Sequence, residues 1–304
     1  MSERTHAFKW RRTPDELRIE QFIRTKPEPP RKTYSARLKA ALDSVKASCK
    51  HFAQFDAGDF WDHASGYASE TQAQTLKLLR QFGRFDGWPD DHPLFDPNLR
   101  VRKTRPRKLS YVDQDSYGLM LGVQDNTTAR GIYQTAFLMT MFDSGARINE
   151  MVSIEMQDVD FERGVVTLRR KGGDWDPTPV TNATMANVQL WLPVRDKLLA
   201  RRGVSNDYLF PSIGGRQPGE PLTARGASSM VGNIARSVGL KLTPHSFRRG
   251  LTILLYLQGL PRPQIIEHLG WKDGRMLDHY IRHLVVDEDV RNILPGNLIE
   301  GIAA

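Results

Sequence analysis

Cysteine is almost missing from this 304-residue chain; Cys49 stands alone. No internal disulfide can form, and with no CxxC partner Cys49 reads as a small apolar side chain in a helical pattern. Long apolar runs are absent too. Nothing approaches the length of a membrane span, and the opening Met-Ser-Glu-Arg-Thr-His has no signal-peptide core, so neither export nor a membrane partner is expected. Compact acidic groups are scarce: Asp158, Asp160 and Glu162 sit at a strand approach, and Asp287-Glu288-Asp289 reads as the acidic start of a short helix. Neither brings several His-flanked acids to one pocket, so a two-metal nuclease is disfavoured and no metal or cofactor is expected. Lysine is the minor cation, 13 against 30 arginines, a bias toward the side chain that grips phosphate with two N–H groups.

The charge that is present is unevenly placed. Residues 1–109 hold 22 Lys+Arg against 14 Asp+Glu, while residues 110–304 hold 21 of each. The whole excess of +8 therefore lies in the first third, as a phosphate-tracking part joined to a neutral part with another task would show. A basic surface kept for solubility is the plainer explanation of the same count.

The chain divides into a basic helical region over 1–99, a linker over 100–109, a larger region over 110–283 and a tail over 284–304. Residues 1–12 form a loose basic arm. Thr13-Pro14-Asp15-Glu16 starts a helix to about Arg24: a cap, proline in the first turn, then acids. Lys26-Pro27-Glu28-Pro29-Pro30 breaks it. Apolar spacing predicts helices over 35–55 and 69–85, then loop over 86–99. Arg100, Arg102, Lys103, Arg105, Arg107 and Lys108 give the linker six cations and no acid, and a DNA duplex is the natural polyanion for it to lie against. Beyond it, helices are expected over 113–123 and 128–142, and another from near Arg147. A hairpin with a cationic tip at Lys171 follows, then helices over 184–201, 223–238, 244–256, 262–269 and 274–282. The fold class is thus mainly α with a small β-hairpin (α+β), in two domains.

Several residues could carry chemistry. His245 and Arg248 are three apart, on one helix face, in the first turn after Thr243-Pro244, where free backbone N–H groups favour an anion. The pattern is cheap by itself; His279 and Arg282 repeat it. Arg147 and Glu150 are also three apart. They are either a surface ion pair or an arginine held by its carboxylate for a phosphate. Lys171, beside Arg169 and Arg170, could hand a proton to a departing alkoxide, work for which guanidinium groups are poorly suited. Tyr280 is a potential nucleophile whose phenol needs a base or nearby cations. Trp271 offers one indole N–H, and Cys49 nothing evident. Any one of these could simply be packed; the set is informative.

From about residue 110 to 283 the chain resembles the tyrosine recombinases, or phage-type integrases. The matching segments are Gly145-Ala146-Arg147-Ile148-Asn149-Glu150, the hairpin Lys171, His245-Ser246-Phe247-Arg248, and Leu269-Gly270-Trp271 with Tyr280 nine positions on. Asp207-Tyr208-Leu209-Phe210 also suits the family. Most members have His at the Trp271 position; Trp is Cre-like. His268 lies three positions too early for that role. The first hundred residues share only their helical, basic character and their position. The resemblance implies a C-shaped two-domain clamp on double-stranded DNA, acting as a dimer per site and a tetramer on two sites. It implies metal-free strand transfer through a 3′-phosphotyrosine, with Arg147, Glu150, Lys171, His245, Arg248, Trp271 and Tyr280 as the catalytic set. A type IB topoisomerase or telomere resolvase would use the same chemistry, and an inactive DNA-binding relative would keep only the fold. The location implied is the nucleoid of a prokaryotic cytoplasm, or a nucleus. The tail's Leu284, Val285, Val286, Val290, Ile293 and Leu294 form an apolar strip suited to docking on a neighbouring protomer.

Overall fold

The computed structural model describes residues 13–28, 30–47, 50–102, 110–170, 173–214 and 218–282. The basic arm, Cys49, Lys103, Arg105, Arg107, Lys108, Lys171 and the 284–304 tail lie outside them. The chain forms two compact units, Met1–Pro106 and Arg107–Ala304. Among the described residues no helix is long and apolar enough to cross a membrane.

The first unit is helical. Thr13 caps α1 (Pro14–Arg24) through a reciprocal pair with Glu16, as its sequence requires. α2 spans Arg31–Lys46, where the spacing had suggested 35–55. Pro30, with φ already near the helical value, starts it early. After Lys46 the chain folds back, with the Lys50 N–H on the Val45 carbonyl, and a 3-10 turn over Phe52–Gln54 delivers Phe52 to the core instead. α3 (Ala57–Ala64) went unanticipated, although Asp56 and Asp59 form the capping pair that starts it. α4 runs Ser69–Asp86 and stops at left-handed Gly87. The segment after it, read as loop, contains a 3-10 turn over Pro93–Phe95. Ile19, Phe22, Leu38, Leu42, Phe52, Phe60, Leu79, Phe82 and Trp88 make this unit's core.

The second unit packs helices around a small sheet. α5 (Gln114–Gly122), α6 (Ala129–Ser144) and α7 (Ile148–Val152) come first. The strands β1 (Val159–Asp160), β2 (Val165–Arg169) and β3 (Trp175–Pro179) pair antiparallel in chain order, with Arg169 opposite Trp175. β2 and β3 form the expected hairpin, and Asp176 and Thr178 on β3 accept hydrogen bonds from Arg170 just past β2. α8 (Asn182–Arg202), α9 (Ala224–Ser237), α10 (Pro244–Leu257), α11 (Arg262–His268) and α12 (Arg275–Ile281) complete the unit. Its main core holds Tyr133, Phe137, Met141, Trp191, Leu209, Phe210 and Phe247. A smaller one, Leu251, Ile265, Leu269, Leu277 and Ile281, ties α10 to α11 and α12. The architecture is mainly α with one small sheet, as expected.

Asp158 and Asp160 serve local structure: Asp158 accepts the Glu155 N–H, and Asp160 accepts those of Glu162 and Arg163. Among the described residues no group of three or more His, Cys, Asp or Glu could hold a metal ion.

Candidate active site

The site starts where α6 stops. Gly145 takes a left-handed φ of 55°, and a Cβ there would lie 2.6 Å from Leu269 Cδ2 and 2.9 Å from Leu251 Cδ2. Only glycine allows both the turn and the close packing. The turn sets Arg147 as the cap of α7. Glu150 then accepts the Arg147 backbone N–H at 2.8 Å through Oε2 and its guanidinium Nη1 at 2.6 Å through Oε1. Glu150 is buried, while the Arg147 side chain is 38% exposed. Burial alone would raise the Glu150 pKa. The Arg147 N–H, its guanidinium and the Arg170 charge outweigh that and hold it below the usual carboxylate value.

α10 supplies the second arginine from beneath. Arg248 is 1% exposed. Its Nη1 donates to the Gly145 carbonyl at 2.6 Å and its Nη2 to the Leu269 carbonyl, so the first-arginine turn and the Trp271 loop are both fastened to it. Its Cζ sits 5.1 Å from the centre of the Trp271 ring. Burial first, and the Arg147 charge second, bring the Arg248 pKa down to about 9, which leaves it cationic at neutral pH. Thr243 begins α10 as the sequence implied, but its side chain meets the Ser246 hydroxyl.

Tyr280 comes from α12 and is 3% exposed. Its hydroxyl oxygen is 2.8 Å from His245 Nε2, and its ring centre is 5.7 Å from that of Trp271. Burial raises the phenol's pKa, and Arg248, Arg249 and Arg147 oppose the rise without cancelling it. His245, exposed as a whole residue, moves the other way, to about 4, through partial desolvation and then the charges of Arg249, Arg248 and Arg147. A neutral imidazole with its ring proton on Nδ1 leaves Nε2 free to accept the Tyr280 hydroxyl proton. A titration followed by the imidazole NMR signals should leave His245 neutral down through pH 6 in the DNA-free protein. A midpoint at the ordinary 6.5 would show that the arginines do not act on it. Because the folded-state value is depressed, the stabilisation is complete above 6.5 and is lost as pH falls toward 4.

Six of the seven expected catalytic residues therefore share one place: Arg147, Glu150, His245, Arg248, Trp271 and Tyr280. The seventh, Lys171, lies outside the described residues. An open cleft of about 750 Å³ runs past Arg147, Gly270, Trp271 and Arg275. The arrangement can receive a tetrahedral anion, hold it with fixed donors and present a phenol whose proton has an acceptor already in place.

Two arginines matter more than their sequence suggested. Arg170, weighed above only as a proton source, is 6% exposed with its guanidinium occupied by Glu150, Asp176, Thr178 and the His268 carbonyl. Buried and held on these partners, it is poorly placed to act as a proton donor. Arg249 was not singled out at all. It donates to the Ser110 carbonyl at 2.9 Å and helps hold down the Tyr280 pKa. His268 is structural, as its position implied: its Nε2 meets the Asp143 carbonyl at 2.9 Å.

In the first unit Arg100 and Arg102 are exposed. Arg100 joins Lys77, Arg80 and Arg84 around an open groove along α4. Arg80 is committed to the carbonyls of Leu94, Asp96 and Leu99. Lys77 and Arg84 stand far from Arg100 in the sequence, and α4 brings them beside it.

The phage integrase family profile matches residues 111–285. Tyrosine recombinase XerA of Pyrococcus furiosus is 24% identical over 243 residues, covering 78% of this chain and 79% of the relative. Tyrosine recombinase XerD of Pseudomonas aeruginosa is 25% identical, covering 73% and 78%. Among solved structures, the XerH site-specific recombinase bound to palindromic difH substrate superposes with a TM-score of 0.68 at 18% identity, covering 86% of this chain and 79% of that one. The Tn1549 transposon integrase in complex with transposon right end DNA gives 0.67 at 16% identity, covering 95% and 99%. With more than half its length matched by the family profile, the chain belongs to the phage integrase family.

Proposed function

We propose that this protein is a site-specific DNA recombinase that cuts and rejoins double-stranded DNA through a covalent 3′-phosphotyrosine. The observation that carries the proposal is the Tyr280 hydroxyl held 2.8 Å from a neutral His245 beside a buried Arg248.

Tyr280 Oη attacks the scissile phosphorus and passes its proton to His245 Nε2. The bond from phosphorus to the 5′ oxygen breaks. Lys171 protonates that oxygen. Arg147 and Arg248 stabilise the charge growing on the non-bridging oxygens, and Trp271 donates to the same group. Glu150 orients Arg147. Reversal by a 5′ hydroxyl from a partner strand rejoins the DNA, so the energy of the broken bond is conserved and no cofactor is consumed. Arginines supply the positive charge, so no step calls for a metal.

Arg100, Arg102, Lys103, Arg105, Arg107 and Lys108, with Lys77 and Arg84, would neutralise backbone phosphates. Two protomers would occupy each site and four the pair of sites. Removing residues 284–304 should abolish assembly and recombination while DNA binding persists; wild-type recombination by the shortened chain would refute the docking role of the tail. The general test is to trap covalent complexes on a fragment library containing the DNA that flanks the gene, and map the cut phosphates. Recurrent cuts at one sequence support a recombinase. Relaxation of any supercoiled plasmid, regardless of sequence, supports a topoisomerase instead.

A further inference from the structure

Arg170 links three segments that carry the site. Its Nη1 donates to Glu150 Oε2 at 3.1 Å and its Nε to Asp176 Oδ2 at 2.8 Å. Its Nη2 donates to Thr178 Oγ1 at 3.0 Å and to the His268 carbonyl at 2.9 Å, three residues before Trp271. The Trp271 loop rests directly on it: a Cβ at Gly270 would come within 2.6 Å of Arg170 Nε. We propose that Arg170 is a positioning residue for the cleavage step, acting through Glu150 on Arg147.

Two physical effects support this. The first is geometric. Glu150 offers Oε1 to the Arg147 guanidinium and Oε2 to both the Arg147 backbone N–H and Arg170. Arg170 occupies the remaining lone pair of Oε2 and fixes the carboxylate plane, which aims the exposed Arg147 fork. The second is electrostatic. Alone with Arg147, Glu150 would cancel most of its charge at short range. Sharing Glu150 with Arg170 leaves Arg147 a larger net field at the phosphate. A residue that merely stabilised the fold would need neither the shared oxygen nor this placement. Asp176, on the opposite side of the guanidinium, limits the cost of burying the extra cation.

The inference rests on the recombinase reading and deepens it. Its test uses the full-length chain and nicked duplex oligonucleotides carrying the mapped cut site. One set has the natural phosphodiester at the scissile position. The other has a methylphosphonate, in which a methyl group replaces one non-bridging oxygen and removes the charge that Arg147 would stabilise. Arg170→Met should bind either duplex within about 2-fold of wild type, because other phosphate contacts dominate affinity. Its rate of covalent adduct formation should fall about a hundred-fold on the phosphodiester and less than about 5-fold on the methylphosphonate. Should Arg170→Met not fold, Thr178→Val decides. It removes one acceptor from Arg170 without changing charge or shape, and a loss of about 5-fold on the phosphodiester alone is expected. Equal losses on the two substrates, or no loss on either, overturn the inference. A wild-type chain that forms no adduct on either overturns the recombinase reading instead.

Discussion

Tyr280→Phe should bind target DNA with wild-type affinity and form no covalent adduct. The ring keeps its packing between His245 and Trp271, and only the hydroxyl that meets His245 is lost. Removing a nucleophile costs on the order of 10⁴-fold or more in rate. The fold should tolerate the change well, since the lost hydrogen bond is worth about 1 kcal/mol. Gel-shift affinity and single-turnover adduct formation on the same duplex separate the two quantities. Adducts that persist in this variant would mean that another residue attacks.

The second large effect separates the two clamp arginines. Arg147→Ala removes a partly exposed side chain that leaves Glu150 still paired with Arg170. Stability should fall by about 1 kcal/mol or less, while cleavage falls by about 10²- to 10³-fold. Arg248→Ala is a different event. It empties a fully buried volume and strands the Gly145 and Leu269 carbonyls. Stability should drop by about 3–5 kcal/mol, with cleavage reduced at least as much as in Arg147→Ala. Chemical denaturation and adduct assays on both variants check this. Equal destabilisation by the two would contradict the burial of Arg248 as the distinction between them.

Much of this site was legible before any coordinates, and the reason is chemical. Arg147 caps the helix that carries Glu150, and His245 and Arg248 sit three apart on α10, so local geometry fixed which side chains meet. Thr243 and Pro244 marked the start of α10. Tyr280 was reached by spacing from Trp271. What stayed hidden depends on tertiary contact. Arg169, Arg170 and Lys171 are three adjacent cations in the sequence. Yet Arg170 is buried on four partners, while Arg169 lies 5.8 Å from the centre of the Trp175 ring at the hairpin. Arg248 and Arg249 are adjacent too, and only the folded chain shows one gripping two carbonyls and the other gripping Ser110. Burial changed what Arg170 could do, from proton donor to anchor.

In the fold, long periodic helices were legible and short ones were not. α3 has only eight residues, too few for its apolar period to register, although Asp56 and Asp59 announced its start. The 35–55 helix was overextended because Phe52 continues the apolar spacing of Leu38, Leu42 and Val45, while in the structure a separate 3-10 turn buries it.

The most direct measurement identifies the attacked bond and the attacking atom together. Wild-type protein trapped on a nicked duplex would be digested, its DNA-bearing peptide sequenced by mass spectrometry, and the released DNA end analysed. The account predicts a 3′ phosphate esterified to the Tyr280 oxygen and a free 5′ hydroxyl on the departing strand. Cut ends without a protein attachment, or an attachment to any other side chain, would contradict it.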